Sequence, residues 1–95
     1  PTAQLMLVVG SPKNGLEHPG WKDNLALAAR LYQILEQQTP GLMRPIHISA
    51  NRYNQHLLPG AMLVEVGTCA NTQAQADAAV ELLAAGLARL LQEAV

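Results

Sequence analysis

Glu65 is the one ionisable side chain in the most apolar run of the chain, Ala61-Met62-Leu63-Val64-Glu65-Val66-Gly67. A carboxylate there must give up hydration, which is costly unless a cation, hydrogen-bond donors or a proton compensate. Burial favours the protonated form of a carboxylate, and this suits general acid/base work. The plainer reading is a structural carboxylate bonded to Arg52, Lys13 or backbone donors. Both readings stand at this level.

Further polar groups gather close by in sequence. Asn51-Arg52-Tyr53-Asn54-Gln55-His56 sets six hydrogen-bonding side chains just ahead of the Glu65 strand. Arg52 and Asn54 suit a carboxylate or amide of a substrate, or else they tie down a long loop. Asn71-Thr72 stands where a helix start would supply backbone N–H groups and a partial positive field. Asn71 also reads as a turn residue before the cap. Cys69 lies near the same helix start, where thiols are activated, but it has no base partner and reads first as a small packing residue.

His18, His47 and His56 are far apart in sequence and form no His-Glu-x-x-His pattern, so spacing supports no metal site. His47 alternates with Ile46 and Ile48 and so faces away from them, while His18 before Pro19 reads as a loop anchor. Gly10-Ser11-Pro12-Lys13-Asn14-Gly15 lacks both the Gly-x-Gly-x-x-Gly and the Gly-Lys-Ser/Thr forms of phosphate loops.

The elements that must carry these residues follow from periodicity. Gln4 to Val9 is a continuous apolar run, as in a strand buried on both faces. Leu27, Ala28, Leu31, Ile34 and Leu35 fall on one face of a helix from Trp21 to about Gln38, ended by Pro40-Gly41. Ile46 to Ile48 is a short strand, and Met62 to Val66 a second long one. Thr72-x-x-Gln75 has the form of a capping box. It opens a last helix to about Glu93, with Ala76, Val80, Leu83, Leu87, Leu90 and Leu91 on its apolar stripe. Gly86 inside that helix predicts a close approach to the sheet.

Strand, helix, strand, strand, helix is an α/β order. The expected architecture is a three-layer type, with parallel strands flanked by helices. In open sheets of that kind ligands collect at the carboxyl edge, where Glu65 is expected. Doubly buried strands need cover on both faces, and two helices are few for that. The expectation is therefore one part of a larger α/β domain, or a surface closed by oligomerisation. Pro1 in place of Met points to a natural start that has been removed.

Ninety-five residues make a single domain, 1–95. Only 14% are charged, against about 25% in a typical globular domain, so part of the surface is expected to meet other protein. A net charge of −1 with no basic cluster speaks against nucleic acid and anionic lipid. No run reaches the roughly 18 apolar residues of a membrane span, and one cysteine excludes an internal disulfide.

Several segments resemble a known family when taken together. They are Val8-Val9-Gly10, the stretch from Gly15 to Leu25 with His18-Pro19-Gly20-Trp21, Arg52-Tyr53-Asn54-Gln55-His56-Leu57, and Leu63-Val64-Glu65-Val66-Gly67 with Asn71-Thr72. This combination resembles stage II sporulation protein P, a family of zinc-dependent cell-wall hydrolases related to the N-acetylmuramoyl-L-alanine amidases. The resemblance implies that residues 1–95 are the C-terminal part of such a catalytic domain. It implies peptidoglycan as substrate, cut at the amide between muramic acid and stem peptide during engulfment. It also implies an extracytoplasmic site of action, a membrane-anchored parent and stage II sporulation protein D as a partner. Glu65 matches the family's late-strand acid/base, and Arg52, Asn54 and Asn71 are expected to position glycan or peptide. The zinc ligands are expected upstream of this chain, so no metal role is carried onto its histidines and the isolated chain is expected to be inactive. The alternative is a non-catalytic wall-binding or assembly module built from a degenerate half-domain.

Overall fold

A computed structural model of the chain describes residues 2–15, 17–51, 53, 55–57 and 60–93. The first strand, β1, runs Leu5–Gly10 and is followed by a 3-10 turn at Pro12–Asn14. Helix α1 spans Trp21–Gln38, β2 His47–Ser49, β3 Leu63–Val66 and helix α2 Gln73–Glu93.

The strands form one sheet in the order β2-β1-β3. β1 and β2 are parallel, joined through α1, with Val8 opposite His47 and Gly10 opposite Ser49. β3 is antiparallel to β1, pairing Leu5 with Val66, Met6 with Glu65 and Val8 with Leu63. The α/β class is as expected, but the sheet is mixed: only one of its two strand pairs is parallel.

Alternation along the strands decides where the core lies. Leu5, Leu7 and Val9 are buried against Ala28, Leu31 and Leu35 of α1 and Ala79 of α2. Val64, Val66 and Ile46 pack into the same cluster. Both helices thus cover one face, giving two layers where three were expected. The opposite face carries Met6, Val8, His47, Leu63 and Glu65, and of these only Val8 is buried.

α1 begins at the expected residue, directly after the Pro19-Gly20 turn. Its carboxyl end is fastened by Glu36, whose carboxylate accepts the N–H groups of Gly41 at 3.1 Å and Met43 at 2.7 Å. Those two bonds hold the Glu36 carboxyl below its ordinary range. α2 opens on the predicted capping box: Gln75 N–H donates to Thr72 Oγ1 at 3.1 Å, and Thr72 N–H to Gln75 Oε1 at 2.9 Å.

The inward face of α2 differs from the expected stripe. Val80, Leu87 and Leu91 are exposed, and Ala79, Leu82, Leu83, Gly86 and Leu90 face inward. Small residues let the helix come close, and what it approaches is α1 rather than the sheet. A Cβ on Gly86 would meet the Leu35 side chain, with Leu35 Cγ at 3.0 Å.

Candidate functional site

Glu65 sits on the edge strand β3 beside Met6, on the uncovered face, and its side chain is exposed. This corrects the expectation of a desolvated carboxylate. Both helices lie across the sheet from it, so nothing in the described chain removes its water. Among the described residues it makes no ion pair and no side-chain hydrogen bond. The carboxyl-edge argument is corrected as well. Because β3 runs against β1, Glu65 lies level with the beginning of β1, away from Gly10 and Ser49 at its end.

The turn after β3 is built from side-chain bonds to backbone. Gly67 has φ of 65°, and a Cβ there would come within 2.5 Å of Asn71 Oδ1, so glycine is required. Asn71 Oδ1 accepts the Thr68 N–H at 2.8 Å, and its Nδ2 donates to Gln75 Oε1 at 3.2 Å. Thr68 Oγ1 accepts the Ala70 N–H. Asn71 therefore fixes the turn that leads out of the Glu65 strand. Cys69 is exposed in this turn, not packed as its small neighbours suggested. Arg52 and Asn54 lie outside the described residues.

A second polar group collects at the carboxyl end of β1. The pairing of β3 with β1 ends at Leu63, opposite Val8, and there the Gln55 side chain bonds the end of β1. Its Oε1 accepts the Gly10 N–H at 2.7 Å and its Nε2 donates to Val8 O at 3.1 Å. Asn24 on α1 donates to Gln55 O at 3.3 Å and accepts the Gly60 N–H at 2.7 Å. Ser11 Oγ donates to Ser49 O at 2.9 Å. Asn24, Gln55, Ser11, Ser49 and His18 are all buried, which is affordable for polar groups only because they bond one another.

His18 and His56, 38 positions apart, are brought edge to face with centroids 6.3 Å apart. Asn24 Nδ2 lies 3.4 Å from His18 Nε2. His47 is exposed, as its alternation required. Among the described residues no three His, Cys, Asp or Glu side chains converge to hold a metal ion. They do not fit the zinc centre that the resemblance implies, and no step below is routed through one.

Tyr53 borders this region through Ser49. It adopts φ of 51°, uncommon for a residue with a Cβ, and its phenol oxygen lies 3.4 Å from Ser49 Oγ. Hydrogen bonds from Ser49 and Asn51 hold the phenol below its ordinary range, against desolvation and the negative charge of Glu65. Sequence reasoning counted Tyr53 only as one of six polar side chains in its loop and gave Ser49 and Asn24 no role. Asn24 alone left a signal, as a polar residue one turn before Ala28 on the apolar face of α1.

A two-layer α/β unit with an acid on the bare face of its edge strand is the class that these features define. The family of stage II sporulation protein P matches residues 1–88, and the chain belongs to that family. Its setting is accordingly a sporulation-related function at the cell wall. No curated protein and no solved structure matches the chain. Among the described residues no helix is long and apolar enough to cross a membrane.

Proposed function

We propose that this chain carries the acid/base strand of a peptidoglycan hydrolase, an N-acetylmuramoyl-L-alanine amidase acting outside the cytoplasmic membrane. One observation carries the reading: within the family-matched residues, Glu65 stands on the uncovered sheet face with its carboxylate unengaged. A general base has to be reachable by its substrate, and this one is. Substrate laid over Met6, Val8 and Leu63 would exclude water from the carboxylate, supplying the desolvation that the chain itself does not.

In this reading Glu65 takes a proton from water as the water oxygen bonds to the amide carbon. The C–N bond then breaks, and Glu65 returns the proton to the departing amine nitrogen. Asn71 acts by fixing the turn after the Glu65 strand, and Arg52 and Asn54 remain proposed contacts to glycan or peptide. The zinc that the resemblance implies is assigned to ligands outside this chain, and the isolated chain to an inactive state.

The second reading is a wall-binding or assembly module without hydrolysis. The apolar Met6 and Leu63 side chains on the same uncovered face favour it, as a surface that could meet wall or another chain without chemistry. One experiment separates the two. In the intact protein, Glu65→Gln is expected to lower the release of stem peptides from peptidoglycan by at least about 100-fold with wall binding unchanged. A near-normal rate from the variant, or no hydrolysis by the parent, overturns the catalytic role.

A further inference from the structure

β3 is an edge strand: among the described residues it pairs with β1 alone, in the order β2-β1-β3. Gly67 N–H donates to Gln4 O at 2.8 Å, which fixes the alternation along the pair. Glu65 and Leu63 turn their backbone groups to β1, and Val64 and Val66 turn theirs outward. Those outward N–H and C=O groups have no backbone partner among the described residues. Natural edges are blunted by proline, lysine, a bulge or a covering segment. Leu63–Val66 has no proline and no lysine, and its one charge, Glu65, points to the uncovered face.

The helix above this edge overhangs it. α1 packs over β1, and α2 packs over β3 and against α1, so the side of α2 turned away from α1 lies beyond the last strand. α2 meets α1 through Gly86, which faces Leu31 and Leu35, and through Glu93, which bonds Arg30. At about 100° per residue, Val80, Leu87 and Leu91 lie roughly 100–140° round the helix from Gly86, on the side opposite Glu93. All three are exposed. Val64 and Val66 point to the covered face below them, yet both are only partly buried. A hydrogen-bonding edge roofed by an apolar flank fits an extended backbone. A helix has its own backbone already bonded and cannot complete that edge.

We propose that this edge takes up an extended, basic segment of another polypeptide, added as a fourth strand beside β3. Residues directly opposite in a ladder share a face. The segment therefore carries apolar side chains opposite Val64 and Val66, beneath the flank of α2, and a basic one opposite Glu65 on the open face. Charge supports this choice. Glu65, Asp77 and Glu81 are exposed around the edge, and the described basic residues lie elsewhere. Lys13 and Lys22 flank the far end of β1, Arg44 stands on its β2 side, and Arg30 and Arg89 gather at Glu93. A second copy fits badly: pairing β3 with its own copy would bring two acidic rims together. It would also set two α2 helices over strands about 4.8 Å apart, where packed helices need about 8–10 Å. The inference goes beyond the catalytic reading and does not rest on it.

The test is backbone amide NMR and hydrogen exchange on the full chain, titrated with a short end-capped peptide of alternating valine and lysine. A saturable shift with half-saturation at or below about 1 mM is expected. Exchange at the Val64 and Val66 amides is expected to slow by about tenfold or more on binding. The same peptide with glutamate in place of lysine is expected to bind at least about tenfold more weakly, and N-methylation of its backbone to abolish binding. Leu87→Ser, a change on the exposed flank, is expected to weaken binding by about threefold. No saturable shift, shifts without slowed exchange at those two amides, equal binding of the glutamate peptide, or undiminished binding of the methylated one overturns the proposal. Concentration-dependent protection of the same amides in the chain alone also overturns it, because a second copy would then hold the edge.

Discussion

Gln55 holds the end of β1 with both arms of its carboxamide, standing in for a strand that β3 is too short to supply. It is 4% exposed, and it bonds two groups at the end of β1, the Gly10 N–H and Val8 O. Gln55→Leu keeps the bulk and removes both bonds, leaving the Gly10 N–H without its side-chain acceptor. Urea unfolding is expected to show a loss of about 3 kcal/mol. A loss below about 0.5 kcal/mol would mean that water replaces the side chain at no cost. Glu65 is the opposite case, an exposed acid with no bonds to lose, so its replacement by Gln is expected to act on turnover and to spare the fold.

At the scale of elements, the contact between the helices organises the covered face. Gly86 lets α2 settle against Leu35 and Leu31, and further along Arg30 clasps Glu93 through two bonds of 2.8 Å. That clasp holds the Glu93 carboxyl below its ordinary range, an effect of Arg30 first and of Arg89 to a lesser degree. Gly86→Ala brings two opposed effects. Helix propensity improves by about 1 kcal/mol, while displacing the buried Leu35 costs about 1–3 kcal/mol. Overpacking is expected to win, with a net loss near 1 kcal/mol in thermal or urea unfolding. A stabilised variant would show that the helices sit further apart than described.

The whole molecule has one packed face and one open face, and mutation separates them. Leu7 is 0% exposed among the helices, whereas Leu63, one strand away on the other side, is 39% exposed. Leu7→Ala is expected to cost about 3 kcal/mol. Leu63→Thr is expected to stay within about 0.5 kcal/mol. Equal costs at the two positions would show that the second face is covered too. The low charge content fits this asymmetry, because Leu63 and the α2 flank of Val80, Leu87 and Leu91 place apolar side chains on the exposed surface.

Much of this was legible from local rules. The start and end of α1, the capping box of α2 and the outward turn of His47 all depend on neighbours within a few residues, and they appear where the residue types place them. The family followed from segments read in combination. What sequence could not carry were relations between distant segments. The direction of β3 depends on how the long connection from Ser49 to Leu63 returns to the sheet, and no periodicity encodes that path. The apolar run around Glu65 predicted burial because hydrophobicity records what a strand can bury, and the placement of both helices on one face left half of it uncovered. Gln55, Asn24 and His18 looked like loop and helix polar residues, and folding joined them into a buried network. Composition and local pattern set the elements and the kinship of this protein; only their assembly in space decided which polar groups lie inside and which acid faces outward, because that choice rests on contacts between residues dozens of positions apart.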